Sequence, residues 1–172
     1  MPEKYEMVVT YLAMHQPPEF DLNPPSHLNV TMMDLHNPPV HYYRYLYNTI
    51  GADYDWVDLK LLSDEQLKDQ ITAPGNTISV AHVNGCPAGY FELNAADPEM
   101  TWLAYFGIMP EYIGKGLGKW LLKTAINKAW ASSPKALHVE TCTLDHPSAL
   151  PLYKSLGFEP YASKDKVTIV PD

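Results

Sequence analysis

Short alternating or continuous apolar runs predict strands at Tyr5 to Met14, His27 to Leu35, Thr77 to Val83, Gly89 to Asn94, Trp102 to Ile108, Leu137 to Leu144 and Val167 to Val170. Between them the apolar spacing lengthens to three and four residues. Leu117, Leu121 and Ala125, widened by Trp120, Ile126, Ala129 and Trp130, predict an amphipathic helix. Tyr42, Tyr43, Tyr45, Leu46, Tyr47 and Ile50 predict another over Val40 to Ile50, with Gly51 as its stop. Ser63 and Gln66 form a capping box ahead of the Leu67 and Ile71 stripe. A last helix is capped by His146 or Asp145, has Pro147 in its first turn, bends at Pro151 and stops at Gly157-Phe158. Asn84-Gly85-Cys86-Pro87 marks a hairpin, and three Pro-Pro pairs stiffen an N-terminal arm, residues 1–39, that holds the first two strands. The predicted order is β-β-α-α-β-β-β-α-β-α-β.

Composition narrows the class. A chain of 172 residues with 46% apolar content fits one domain with a full core. No apolar run reaches the roughly 18 residues of a membrane span, and no basic segment followed by a long apolar one opens the chain, so no signal peptide is expected. Two cysteines, Cys86 and Cys142, lack the number for a disulfide framework and the spacing for a metal site. A reduced, cytoplasmic protein without a metal is expected. The net charge of −8 argues against nucleic acid and anionic membrane as main partners.

The chemistry gathers around Trp102 to Trp130. Here a strand runs through Gly114, Gly116 and Gly118, at every second position, into the long helix. Glycines ahead of a helix let a ligand approach the backbone and leave the first amides free at the positive end of the helix dipole. That arrangement suits a phosphate or pyrophosphate, with Lys115 and Lys119 adding charge. A solvated helix face is the alternative for these lysines, and a tight connection is the alternative for the glycines. A Walker loop is excluded, because Ile113 stands where its first glycine belongs and Trp120 follows Lys119. The G-x-G-x-x-G dinucleotide pattern is excluded as well, because Lys119 and Leu121 occupy the third-glycine places.

The G-x-G-x-G alternation, after a strand ending Ile108-Met109-Pro110, resembles the coenzyme A loop of the GNAT acetyltransferase superfamily. Ile113 takes the place of that pattern's Gln or Arg. A second stretch, Asp145 to Phe158, carries the resemblance further: Ala149, Leu152, Tyr153, Gly157 and Phe158 match the family's other signature, with His146 in the place of its Asn. Together the two cover about the last two thirds of the chain. The run HVETCTLDHPSALPLY is similar to a bacterial, uncharacterised branch. The resemblance implies an α/β fold of the GNAT type: a central mixed sheet with helices on both faces, here with an extra N-terminal strand. It implies a cofactor core at residues 100–158, where two parallel strands ending near Ile108 and Leu144 splay apart. Phe106, Gly107 and Ile108 would then pair with the pantetheine arm of acetyl-CoA, as a peptide adds to a sheet edge. The amides of Gly114, Lys115, Gly116, Leu117, Gly118 and Lys119 would meet its pyrophosphate, and His146 would hold the cofactor arm.

The implied reaction is transfer of an acetyl group to an amine that attacks the thioester directly. The amine must first lose a proton. Glu92, the one acid in Tyr90-Phe91-Glu92-Leu93, is the first candidate base, since burial would raise its pKa; an exposed strand glutamate is the alternative. Glu140 is the second, with His138 on its strand face. Tyr153 matches the family tyrosine that returns a proton to the leaving sulfur. By the same resemblance Tyr43, Tyr47 and Trp56 would wall the acceptor pocket, core packing being their other reading. A small-molecule or peptide amine is the expected partner, and a homodimer is among the expected assemblies because many members are dimers. The rival reading, from another class, is a non-catalytic sensor that binds coenzyme A or acyl-CoA.

Overall fold

The computed structural model describes residues 3–170. Its elements run β1 (Glu3–Met14), β2 (Val30–Asp34), α1 (Val40–Gly51), α2 (Asp64–Ile71), β3 (Asn76–Val83), β4 (Cys86–Asp97), β5 (Met100–Ile108), α3 (Leu117–Trp130), β6 (Ala136–Cys142), α4 (Ala149–Ser155) and β7 (Glu159–Val170). This is the order the periodicity predicts. The strands form one mixed sheet in the order β2-β3-β4-β5-β6-β1-β7, and among the described residues only β5 and β6 pair in parallel. No helix of the described residues is long and apolar enough to cross a membrane.

Strand alternation feeds two separate cores. Tyr90 joins Tyr43, Leu46, Ile50, Leu67 and Ile71 under α1 and α2, while its neighbour Phe91 joins Leu117, Leu121, Ala125, Ile126 and Phe158 under α3 and α4. In α1 the buried residues Tyr43, Leu46, Tyr47 and Ile50 fall at i, i+3, i+4 and i+7, one stripe of a helix. The capping box of α2 is complete: the Gln66 amide donates to Ser63 Oγ at 3.1 Å and the Ser63 amide to Gln66 Oε1 at 2.9 Å.

The expected N-terminal strand is present, and as β1 it lies inside the sheet, antiparallel to both β6 and β7. Several local expectations are corrected. Gly51 is no left-handed stop. It ends α1 with φ −83, and a Cβ there would sit 2.4 Å from Trp56 Cβ, so its role is close approach. β2 begins later than His27, because Pro25–Leu28 closes a turn through Leu28 N–H to Pro25 O at 3.1 Å. The last helix begins at Ala149 with Ser148 as its N-cap, so neither Asp145 nor His146 caps it and Pro147 precedes it. Pro151 thus falls in the first turn, where a missing N–H costs nothing. Gly157, at φ +112, closes the helix as expected, with Phe158 N–H reaching back to Tyr153 O at 3.1 Å.

Candidate functional site

β5 and β6 pair from Met100–Ala136 to Leu103–Val139 and no further. The cause is visible one residue on. Glu92 pairs with Tyr105 and Leu93 with Leu103, which leaves Ala104 as an extra residue on β5. Such a bulge bends a strand and increases its twist. Beyond it Tyr105 to Ile108 keep β4 as their partner and turn away from β6. The gap opens into a cleft of about 430 Å³, lined on the strand side by Leu103 to Ile108 and by Val139 to Cys142. Met7 and Val9 of β1 also line it, because that strand sits next to β6.

One end of the cleft is the glycine turn. Gly114 and Gly116 hold φ of +80 and +83, conformations that favour glycine. A Cβ at Gly114 would meet nothing within 4 Å, so the backbone there faces open space. α3 starts at Leu117 with no side chain on its first amides. Gly114, Gly118 and Lys119 line the cleft, and so does Ile113. Lys115 does not: its ammonium lies 5.7 Å from the Tyr112 ring centroid. The Leu117 side chain is fully buried in the core, leaving only its backbone toward the turn. The other two helix lysines are engaged elsewhere, Lys123 over Phe20 and Lys128 on Asp34 at 2.5 Å.

Tyr153, on α4, also lines the cleft. Its ring meets Phe106 at 6.5 Å and Phe158 at 5.8 Å, both edge to face. Its hydroxyl makes no hydrogen bond among the described residues, and burial, then the charge of Asp145, push its pKa above the ordinary tyrosine range. Asp145 turns back to accept from Thr141 Oγ1 at 2.6 Å and from the Cys142 amide at 2.9 Å, which fixes the end of β6. His146 is exposed on the cleft rim, where its Nδ1 accepts from the Ser148 amide at 3.1 Å. Burial, then Asp145, raises the pKa of the Cys142 thiol, which therefore stays protonated.

The opposite wall is aromatic. Tyr47 and Trp56 meet at 5.3 Å, and both meet Tyr105, at 5.4 and 5.5 Å. All three line the cleft. Tyr105 escaped the sequence reading, although it stands two residues before Gly107 and so shares its face. Gly107 is small for a reason: a Cβ there would lie 2.2 Å from Ile50 Cγ2, so α1 packs directly on β5.

Glu92 and Tyr43 lie apart from this cleft. Both are buried, and Tyr43 donates its hydroxyl proton to Glu92 Oε1 at 2.6 Å. Tyr43 therefore faces the carboxyl and not the cleft wall. Glu92 borders a second cavity of about 170 Å³ with Gln70, Asn76 and Asn94, and Ala104 and Tyr105 line both spaces. Burial raises the Glu92 pKa above its ordinary 4.5, partly offset by the Tyr43 hydroxyl. Glu140 is exposed at the cleft edge, and His138 bonds Tyr161 at 3.0 Å instead of pairing with it.

A family model described as acetyltransferase (GNAT) family matches residues 43–158, which span both the glycine turn and Tyr153. No curated protein matches the sequence. Solved structures share the fold at low identity. A functionally unknown conserved protein from Staphylococcus epidermidis is 13% identical with a TM-score of 0.63, over 97% of this chain and 62% of that one. A GCN5-related N-acetyltransferase from Sphaerobacter thermophilus is 13% identical with a TM-score of 0.68, over 100% and 53%. An aminoglycoside acetyltransferase from an uncultured soil metagenomic sample, in complex with trehalose, is 14% identical with a TM-score of 0.60, over 74% and 86%. The chain thus spans less than two thirds of the length of the first two.

Proposed function

We propose a reaction for a chain that belongs to the acetyltransferase (GNAT) family: it transfers the acetyl group of acetyl-CoA to an amine, small molecule or peptide, by direct attack on the thioester. The observation that carries this reading is the halt in β5–β6 pairing at Leu103–Val139, which leaves an open strand edge between a glycine turn and Tyr153. The residues fit the co-substrate. Backbone groups of Phe106, Gly107 and Ile108 border the gap and would take the pantetheine amides. Amides from Gly114 to Lys119, at the N-terminus of a 14-residue helix without a side-chain cap, would take the pyrophosphate. Lys119 adds charge beside them, Lys115 contributes its backbone only, and His146 stands at the rim for the cofactor arm.

Acetyl-CoA supplies the activated carbonyl. Tyr153 keeps its proton through neutral pH and donates it to the departing sulfur. Tyr47 and Trp56, with Tyr105, form the acceptor wall. Glu92 takes the proton of the acceptor ammonium through water held in the second cavity, which is roomy and polar enough for it. A non-catalytic sensor of coenzyme A is favoured by one observation, that Glu92 faces its own cavity and not the large cleft. Thiol release from acetyl-CoA across an amine panel separates the two. The transferase reading expects amine-dependent release that drops about a hundredfold in Tyr153→Phe. Heat of coenzyme A binding with no release from any amine would favour the sensor.

A further inference from the structure

The Pro-rich segment between β1 and β2 crosses the first turns of α3 and the glycine turn, and it is tied there at three points. Lys123 sits over the Phe20 ring at 5.6 Å. Trp120 Nε1–H donates to Leu22 O at 2.8 Å. His27 Nε2 lies 3.0 Å from Lys115 O. A carbonyl oxygen only accepts, so Nε2 carries the proton in this contact. The turn Pro25–Leu28 presents the imidazole, and Pro25 Cγ lies 3.8 Å from where a Gly116 Cβ would be.

The third tie bears on the turn's chemistry. A peptide unit is planar and trans, so its C=O and the following N–H point in opposite directions. Holding Lys115 O on the arm side aims the Gly116 N–H the other way. That amide donates no hydrogen bond among the described residues, and it is the last one before α3 begins. Gly116, at φ +83 with nothing closer than Pro25, has no side chain of its own to hold this plane. A glycine-rich turn left alone would sample other peptide orientations and lose part of its grip on an anion.

We infer that His27 is a positioning residue for the diphosphate cradle: it locks the Lys115–Gly116 peptide so that the Gly116 amide faces the coenzyme A diphosphate. The inference rests on the cofactor reading above. His27 touches neither co-substrate nor acceptor and acts through the backbone of Lys115.

Calorimetric titration of the full chain with coenzyme A tests it, using His27→Ala, His27→Phe and His27→Gln. Alanine removes the ring, phenylalanine keeps its bulk without the donor, and glutamine returns an N–H at similar reach. The dissociation constant is expected to rise roughly fivefold in the first two, the effect of one net hydrogen bond, and to stay within about twofold of wild type in the third. Hydrogen exchange at the Gly116 amide in the coenzyme A complex is expected to quicken in the same two variants. The acceptor KM is expected to hold in all three while the acetyl-CoA KM follows the dissociation constant. Equal affinity in wild type and every variant overturns the positioning role and leaves the cofactor reading standing. A lowered melting temperature with unchanged affinity overturns it too, because His27 then serves stability alone. No heat from wild type overturns both.

Discussion

Tyr43→Phe probes the buried carboxyl most directly. The wild-type hydroxyl donates to Glu92 Oε1 at 2.6 Å, with Tyr43 0% and Glu92 2% exposed, so the lost bond is a well-buried one. A hydrogen bond to a charged acceptor contributes about 1.5–3 kcal/mol, and one to a neutral acceptor about 1 kcal/mol. The difference, about 0.5–2 kcal/mol, acts on the protonation of Glu92 and moves its pKa. The direction is upward. Burial already raises the Glu92 pKa above 4.5, the Tyr43 hydroxyl pulls it down, and the substitution removes that pull.

A folded-state value above the unfolded one makes a stability contribution that is complete below the unfolded pKa and lost as pH rises through the folded pKa. Raising that value further steepens the loss. Tyr43→Phe is therefore expected to cost about 1 kcal/mol at a pH where Glu92 is neutral and about 1.5–3 kcal/mol at a pH above its raised pKa, where it is ionised, read by urea unfolding at both. With Glu92 as the base, the acid limb of the kcat/KM profile moves to higher pH. Equal stability loss at the two pH values, together with an unmoved acid limb, would refute the assigned bond and its role.

Other outcomes follow from single contacts. Tyr153→Phe is expected to lower kcat about a hundredfold while coenzyme A affinity stays within about twofold, measured by thiol release and calorimetry. Gly107→Ala places a Cβ 2.2 Å from Ile50 Cγ2 and 3.3 Å from Trp56. It should cost about 1–3 kcal/mol and lower the melting temperature by several degrees. Ser63→Ala breaks one half of the capping box, 3.1 Å at the Gln66 amide. Its cost is about 1 kcal/mol with unchanged kinetics, which makes it a control for stability loss alone.

Much of the site was legible locally. Gly114 and Gly116 announce left-handed turns by having no side chain, and Tyr153 stands in a short motif that ends in a glycine cap. Glu92 was legible as a candidate base, but its surroundings were not. Whether a strand acid meets a tyrosine hydroxyl or solvent depends on what packs over that face, and here α1 brings Tyr43 from 49 positions away. The same holds for Tyr105, which gains its place in the wall only when α1 and the Trp56 turn close over β5.

Periodicity, caps and turn residues determined the order of strands and helices, because each acts within a few residues along the chain. The partners of those strands came from the tertiary structure. Side-chain alternation says which face is buried but not which neighbour shares the hydrogen bonds, so β1 reads equally well as an edge or an interior strand. Its insertion between β6 and β7, the bulge at Ala104 that opens the cleft, and the reach of His27 to Lys115 across 88 positions all depend on contacts between distant segments. Such contacts form only when burying apolar surface offsets the entropy of closing long loops, a balance that no local window of residues contains.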